Sequence, residues 1–457
     1  MLIAIIVMNY CNEAASLLII LMVMKPYSAL LGMAFVFLEG KKMAYTKKPL
    51  SMTILASSLM AILTTPAVQA EDAFIDALTN GKVSFSARVR YESVEQDNAL
   101  KDADALTLRT TLGYKTGQFK GFSGFLELED VSELGSDSYN STTNGQGTYS
   151  VVADPDGTEV NQAYLQYNGF DTEFKFGRQE LSYRNAPFHR HIGNVLWRQN
   201  HQSFDAFAVS NSALQDTKLS YAYINKVNTI FGDDRTVGTF IKDGVIDLDA
   251  HLLNAQYSGL PIGKLEAYGY FLDYDDNAAL SSQTIGARLS GAQAVNEAVK
   301  VIYTAEYANQ DDYKEGTMDE QDYYLFELGA KYKGWLAKVS HEVQEGDGTS
   351  SFKTPLGTNH AYQGWADQFL TTPAQGLEDT YFTVVGNVMG AKLVAAYHDF
   401  KTDQGNLDAG DEFDILLQKT FAKHYTLGVK YADYNADDEF SSTVDTEKFW
   451  LYGQVKF

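Results

Sequence analysis

The sequence predicts an all-β protein, an eighteen-stranded antiparallel transmembrane β-barrel of the outer-membrane porin type. Three observations support this fold class. Apolar and polar residues alternate along most of the chain, short and long connections follow one another, and tyrosine and phenylalanine collect near the ends of the alternating segments. The composition agrees, because 29 Tyr and 26 Phe accompany only 8 Pro.

Residues 43–70 have the three parts of a secretory signal peptide. Lys47 and Lys48 supply the positive charge, residues 50–63 supply the apolar core, and a small-residue cleavage site ends at Ala70. The core is shorter than the roughly 20 apolar residues that a transmembrane helix needs. We therefore expect export, with cleavage after Ala70.

Residues 1–42 precede that signal and contain further apolar runs. We expect them to be an over-extended N-terminus that is absent from the mature protein; a genuine N-terminal membrane anchor is the alternative. The mature protein is then 71–457, one barrel domain in the bacterial outer membrane, in contact with its lipid. A net charge of −23 argues against non-specific nucleic-acid binding, so no nucleic-acid partner is expected.

Eighteen segments carry one apolar and one polar face and are the predicted strands. An even number of strands places both termini at the end with short turns, which faces the periplasm in such barrels. The predicted strands are 81–93, 105–116, 121–131, 159–169, 172–180, 204–211, 216–226, 250–257, 264–274, 282–291, 297–308, 321–332, 335–343, 378–388, 391–401, 411–421, 424–434 and 446–457.

The connections between these strands differ in length at the two ends. Residues 169–171 and 389–390 are tight turns, whereas 181–203 and 344–377 are long loops. Short periplasmic turns and long extracellular loops are typical of outer-membrane barrels. A soluble β-sandwich also alternates, with its polar face outside, but the signal peptide and the aromatic strand ends favour the membrane barrel.

The chain ends inside its last predicted strand, on KFWLYGQVKF (448–457). A barrel needs this strand to pair with the first, because unpaired backbone groups in lipid cost several kcal/mol each. Phe449, Leu451 and Val455 share the parity of Phe457. This ending resembles the C-terminal assembly signal of outer-membrane barrels, so we expect the barrel-assembly machinery to recognise Phe457.

An eighteen-stranded barrel is too wide for side chains to fill, so its inner face lines an aqueous channel unless loops plug it. More cations than acids are predicted on that face, and a basic lumen lowers the barrier for anions; mixed charge that only keeps the lumen wet is the alternative. The inward cations include Arg88, Arg90, Arg109, Arg288, Lys115, Lys218, Lys300, Lys331, Lys338, Lys392, Lys430, Lys448 and Lys456. The inward acids are Glu92, Glu127, Glu129, Glu306, Glu327, Glu342 and Asp414.

The segment 178–207 is the densest basic patch. Because arginine pairs bidentately with carboxylates, we expect its arginines to select carboxylated sugars, with Tyr183, Phe188 and Trp197 as stacking faces. The alternative is a structural loop whose arginines pair with Glu180 and Asp205. The predicted pore and substrate-binding residues are Arg178, Arg184, Arg190, Arg198, Asp205, Arg88, Arg90, Arg109 and Arg288.

FGRQEL (176–181) and IGNVLWRQNHQSFDAF (192–207) resemble the alginate-export family of outer-membrane β-barrels, as does HAYQGWADQFLTTPAQGLEDTY (360–381). The resemblance implies an eighteen-stranded channel, and the best-known members pass anionic polyuronate through an arginine-lined pore. It places Arg178 and Arg198 on the matching motifs. Lumen acids such as Glu327 depart from that pattern and leave room for uptake of oligouronides or of generic small solutes.

Together these observations predict an outer-membrane channel for passive diffusion of small or oligomeric anionic saccharides. A general non-selective porin and a plugged structural or adhesive barrel are the alternatives. No histidine lies in a hydrolase motif, so we expect no enzyme activity and no cofactor. His189 and His191 alternate, but they lack a clear third ligand, so no metal site is expected. Nothing in the sequence defines a subunit interface.

Overall fold

The computed structural model describes residues 2–11, 14–23, 33–34, 67–135, 138–187 and 189–457. The chain divides into two compact units, Met1–Ala70 and Glu71–Phe457. In the first unit, β1 (Leu2–Cys11), β2 (Ala14–Val23) and β3 (Met33–Ala34) pair antiparallel in that order. Residues 43–66 of the predicted signal peptide lie outside the described residues, so cleavage after Ala70 stays a prediction.

Helix α1 (Ala67–Thr79) precedes eighteen antiparallel strands that close into one barrel, and a 3-10 turn (Ala278–Leu280) lies in one connection. Among the described residues, no helix is long and apolar enough to cross a membrane. The barrel strands are β4 (Lys82–Gln96), β5 (Ala103–Lys115), β6 (Phe122–Glu133), β7 (Gly157–Gly169), β8 (Thr172–Gln179), β9 (Ser203–Asn211), β10 (Thr217–Asn228), β11 (Val245–Leu260), β12 (Gly263–Tyr274), β13 (Ser282–Ala294), β14 (Val299–Asp312), β15 (Gln321–Tyr332), β16 (Trp335–Gln344), β17 (Leu377–Val388), β18 (Ala391–Lys401), β19 (Asp408–Phe421), β20 (Tyr425–Asn435) and β21 (Thr446–Lys456).

The last strand closes the barrel against the first. β21 pairs antiparallel with β4 from Thr446 opposite Gln96 to Lys456 opposite Ser86. The ladder continues to the end of the chain, because the Phe457 amide donates to the Phe85 carbonyl (2.9 Å) and the Phe85 amide donates back (3.3 Å). The predicted eighteen-stranded barrel is confirmed, and every predicted strand overlaps an observed one.

Side chains alternate between an outer apolar face and an inner, more polar face. In β15, Phe326 and Leu328 are 56% and 64% exposed, whereas Tyr323 and Leu325 are buried. A closed ring of strands with an apolar outer face leaves no sheet edge and presents the surface that a bilayer covers.

The connections at one end of the barrel are tight turns. Phe170 and Asp171, between β7 and β8, both have positive φ (55° and 53°). Positive φ at both central residues is the geometry of a type I′ turn, whose twist matches that of the flanking strands. We call this end the short-turn end and the opposite end the long-loop end.

Two long-loop connections fold into the barrel. We call residues 180–202, between β8 and β9, the first inward segment, and residues 345–376, between β16 and β17, the second inward segment. The first segment crosses the lumen, since Gln199 contacts Arg88 on β4 and Arg184 contacts Glu306 on β14.

Buried apolar side chains hold the two segments to the wall. Ile192 and Leu356 join a cluster that includes Leu252 of the wall. Phe369 packs on Phe400 with ring centroids 4.7 Å apart. Full burial of each such side chain contributes about 1.5–3 kcal/mol to stability. These contacts therefore stabilise the inward position of the two segments.

Candidate functional site in the lumen

The two inward segments meet and form one layer across the lumen. Ile192 and Leu356 form a parallel β-bridge, and the Gly193 amide donates to the Leu356 carbonyl (3.0 Å). A Cβ at Gly357 would lie 2.0 Å from the Arg190 carbonyl oxygen, so only glycine permits this approach. We call this layer the constriction layer.

Arg190 lies at the centre of the constriction layer and is fully buried. Its Nη1 donates to Asn359 (2.8 Å) and Gln363 (2.7 Å), and its Nη2 pairs with Glu342 of β16. The guanidinium stands 3.7 Å from the ring centroid of Tyr362. Burial opposes the charge, but Glu342 outweighs it and raises the pKa of Arg190. Arg190 therefore joins both segments to the wall.

Arg198 is also buried, and it joins the layer to β4. Its Nη1 donates to both oxygens of Glu92 (3.1 and 3.2 Å), and its Nη2 lies 3.5 Å from Asp367. Arg90 contacts the same Glu92 at 2.7 Å and also pairs with Asp154. Burial opposes the charge of Arg198, but Glu92, Asp154 and Asp367 raise its pKa. The positive charge here is balanced by carboxylates.

Arg184 and Arg288 share Glu306 of β14. Arg184 lies 2.6 Å from Glu306 and 3.4 Å from Glu266, and Arg288 lies 2.8 Å from Glu306 and 3.8 Å from Glu327. Their side chains keep 12% and 19% exposure, so both reach lumen water. Despite burial, Glu306 and Glu266 raise the pKa of Arg184 well above its ordinary value.

Arg88 and Arg109 lie directly opposite each other on β4 and β5. Arg88 Nε donates to Gln199 Oε1 (2.8 Å), and Arg109 Nη1 lies 2.7 Å from His201 Nε2. Like charges directly opposite each other on a sheet are destabilising, and the first inward segment supplies a hydrogen-bond partner to each arginine.

Arg178 and Asp205 do not belong to the constriction layer but lie on the barrel wall. They are opposite each other on β8 and β9, and Arg178 Nε donates to Asp205 at 2.8 Å. Arg178 shares its parity with Phe174 and the exposed Phe176, whereas Lys175 and Gln179 of the other parity line a cavity in the lumen. The register thus places the Arg178–Asp205 pair on the outer face, away from the constriction layer.

Of the predicted stacking faces, Trp197 and Tyr183 lie in the first inward segment, and Phe188 is outside the described residues. Trp197 stacks on His360 with ring centroids 3.8 Å apart. Lys430 Nζ lies 2.6 Å from His360 Nε2, and Asp367 lies 2.5 Å from Nδ1. An ammonium only donates, so His360 is neutral with its proton on Nδ1. Burial and then Lys430 lower its pKa to about 3.

Lysines gather on the inner face near the short-turn end. Two pairs lie directly opposite one another, Lys82 with Lys115 and Lys300 with Lys331. Inward acids at this end are fewer, and Glu173 lies 3.7 Å from Lys175. The inward lysines of this end, judged by strand parity, are Lys82, Lys115, Lys175, Lys218, Lys264, Lys300, Lys331, Lys338, Lys392 and Lys456.

Sequence reasoning placed most of these lysines in the lumen but missed Lys82, Lys175 and Lys264. Their positions in the strands could have identified them, because residues an even number of positions apart on a strand share a face. Lys82, for example, lies two and four positions before the inward Ser84 and Ser86. Within the described part of the chain, no group of three or more His, Cys, Asp or Glu side chains could hold a metal ion.

No protein-family model matches the chain, and no curated protein sequence matches it. Solved structures do match in fold. OccAB4 of Acinetobacter baumannii is 15% identical, with 84% of this chain and 99% of that chain covered and a TM-score of 0.66. OpdK of Pseudomonas aeruginosa with vanillate is 13% identical, with 83% and 99% covered and a TM-score of 0.65.

OccK9 (OpdG) of Pseudomonas aeruginosa is 14% identical, with 83% of this chain and 100% of that chain covered and a TM-score of 0.64. These neighbours are Occ/Opd outer-membrane porins. Identities this low show the shared eighteen-stranded fold. No comparison shows the alginate-export family, so that resemblance stays a prediction.

Proposed function

We propose that the protein is an outer-membrane channel through which small or oligomeric anionic saccharides diffuse passively. The observation that carries this proposal is the excess of inward lysines at the short-turn end. Lys300 and Lys331 lie directly opposite each other, an arrangement that costs stability. A pore that lowers the barrier for anions gives a reason for such a placement.

The constriction layer supports a selective path rather than an open pore. Arg184 of the first inward segment and Arg288 of the wall strand β13 lie at the lumen edge, and each pairs with Glu306 of β14. A guanidinium pre-positioned by a neighbouring carboxylate still has further N–H groups, and these match a carboxylate ligand. The fold likeness to outer-membrane porins supports the membrane location.

A general non-selective porin is the second candidate, and one observation favours it. The buried arginines of the constriction layer are balanced by carboxylates, Arg190 by Glu342 and Arg198 by Glu92. Where charge is balanced in this way, the lumen is polar without strong preference for either sign. The third candidate is a structural or adhesive barrel, in which the same constriction layer would close the lumen to solutes.

Single-channel recording distinguishes the three candidates: the channel for anionic saccharides, the general porin and the plugged barrel. The protein is purified from outer membranes and inserted into planar bilayers, and tetragalacturonate or maltotetraose, of equal length but different charge, is added to one side. The proposal predicts current block by tetragalacturonate at a concentration at least tenfold lower. Equal block by both would favour the general porin, and bilayers that stay silent would favour the plugged barrel.

The matched variant replaces Arg288 by Gln. Because Arg288 keeps exposure to the lumen and shares Glu306 with Arg184, its loss weakens tetragalacturonate block and leaves maltotetraose unaffected. Lys333→Gln, in the turn between β15 and β16, is the control outside the lumen. If both variants behave alike, Arg288 is not part of the path.

A further inference from the structure

Two carboxylic acids lie side by side on the inner face of β19, where the second inward segment covers them. Glu412 and Asp414 are two positions apart on the strand, so their side chains share a face, and both are fully buried. Their carboxyl groups are hydrogen-bonded to each other. Because a carboxylate only accepts hydrogen bonds, one of the two groups carries a proton. We call these two residues the carboxyl pair.

The second inward segment rests directly on the carboxyl pair. The Ala366 amide donates to Glu412 Oε1 (2.7 Å). A Cβ at Gly364 would lie 2.2 Å from Glu412 Oε2, and Gly364 has a φ of 79°, so only glycine permits this close approach. Ala366 and Phe369 also belong to a buried apolar cluster with Phe400 of the wall. Residues 364–369 are therefore held against β19 by the pair and by this cluster.

The cations beside the carboxyl pair contact other partners. His398 of β18 has its Nδ1 2.9 Å from Asp379 of β17, and its Nε2 is 3.8 Å from Asp414, which is beyond hydrogen-bond distance. Lys430 of β20 has its Nζ 2.6 Å from His360 Nε2. Neither cation thus forms a hydrogen bond that would replace the shared proton.

Loss of the shared proton would act on the segment above the carboxyl pair. Burial disfavours an ionised carboxyl group, and a second carboxylate beside it disfavours ionisation further. Asp367 of the segment adds another negative charge near Glu412, although it also pairs with Lys448 at 2.7 Å. Two neighbouring carboxylates need water, and water reaches them only when residues 364–369 move away from β19.

We propose that the carboxyl pair is a proton-dependent switch that holds the second inward segment against β19 and releases it in alkaline solution. The closed segment binds one more proton than the open segment, so a rise in pH favours opening. The switch acts on the constriction layer and not on a solute, so it does not depend on the substrate class of the proposed function.

Native-state hydrogen exchange of peptides covering 360–372 tests the switch in protein purified from outer membranes. Protection is compared at pH 6.5 and pH 9, after correction for the intrinsic pH dependence of amide exchange. Release of one proton on opening increases the open fraction by up to about tenfold per pH unit, so wild type should lose protection by roughly 100-fold. Burial lowers the pKa of His191 to about 4 and that of His360 to about 3, so neither titrates in this range.

Two variants replace the shared proton by a permanent donor. Asp414→Asn supplies an amide that donates to Glu412 at every pH, so protection should change less than about threefold over the same range. Glu412→Gln supplies a donor to Asp414 and keeps an oxygen for the Ala366 amide. Asp433→Asn is the matched control and should behave as wild type, because Asp433 lies opposite the outward-facing Phe413 on the neighbouring strand β20.

Two results would overturn the switch. The first is wild-type protection that is equal at pH 6.5 and pH 9. The second is a loss of protection that persists in whichever of Asp414→Asn and Glu412→Gln assembles into a barrel, because another group such as Lys430 or His398 would then be responsible. Neither result concerns chloride preference or block by tetragalacturonate, so failure of the switch is distinguishable from failure of the proposed function.

Discussion

Replacing Arg190 by Met tests whether the constriction layer is one fixed unit. Arg190 is fully buried and contacts both inward segments and the wall through Asn359, Gln363 and Glu342. Methionine fills much of the same space and cannot donate a hydrogen bond. We expect the variant to fold as a barrel whose inward segments open locally.

The free-energy cost of Arg190→Met follows from the state of Glu342, which stays buried without its arginine partner. Removing one partner of a buried ion pair costs about 3–5 kcal/mol, because the other charge stays buried. Glu342 keeps donors from Gln363 Nε2 (2.7 Å) and from the Tyr323 hydroxyl (2.5 Å). We therefore expect the low end, about 3 kcal/mol, which shifts the closed-to-open ratio of the segments roughly 100-fold.

Native-state hydrogen exchange of peptides covering 180–202 and 345–376 measures this opening. Lys314→Met breaks an exposed ion pair with Asp273 and is the matched control, with an expected effect below about 1 kcal/mol. Arg190→Met combined with Glu342→Leu removes both buried charges and should recover much of the protection. Exchange in Arg190→Met within about threefold of wild type would refute the reasoning.

Three further predictions concern the lumen, the pH response and assembly. Lys300→Gln with Lys331→Gln removes two facing lumen charges and should lower the chloride-to-potassium permeability ratio measured from reversal potentials; an unchanged ratio would contradict the lysine argument. His191 and His360 have pKa values lowered by burial to about 4 and about 3. Their stabilising contribution is present above the ordinary value near 6.5 and falls by roughly 1.4 kcal/mol per pH unit per histidine below it. Acidification from pH 7 to 4.5 should therefore loosen the constriction layer and change the fluorescence of Trp197, which stacks on His360; constant fluorescence down to pH 4.5 would count against this. Phe457→Ala should reduce the yield of heat-modifiable barrel in outer membranes more than Phe449→Ala on the same strand, because only Phe457 is the proposed assembly signal; equal yields would remove that role.

The strands were predictable because local pattern alone decides them. Residues 321–332 were predicted as a strand and β15 is Gln321–Tyr332, since its apolar parity runs unbroken from Tyr324 to Tyr332. The start of β11 at Val245 was missed by five residues. Its first residues, VIDLD, alternate apolar with acidic side chains and give a weaker strand signal than the aromatic-rich segments.

The candidate site was less predictable, because its contacts join residues far apart in sequence. Arg190 pairs with Glu342, Arg184 with Glu306 and Arg198 with Glu92, and no local pattern specifies such partners. The alternative predicted from the sequence paired the arginines with Glu180 and Asp205, and of these pairs the described residues show Arg178–Asp205.

Placement of Arg178 shows a second limit. Its motif suggested the pore, but the face of a strand residue depends on parity, and a shift of one position moves a side chain from one face to the other. Phe174 and Phe176 on alternate positions would have indicated the outer face for Arg178. Strand parity was therefore a better guide to the lumen than motif resemblance.

The zero-current potential in a tenfold potassium chloride gradient tests the central claim most directly, because it reports the sign of the lumen charge that a permeating ion experiences. An excess of inward lysines predicts a potential with the sign of chloride preference, weakened at high salt as these lysines are screened. A potential near zero or with the sign of potassium preference would contradict it.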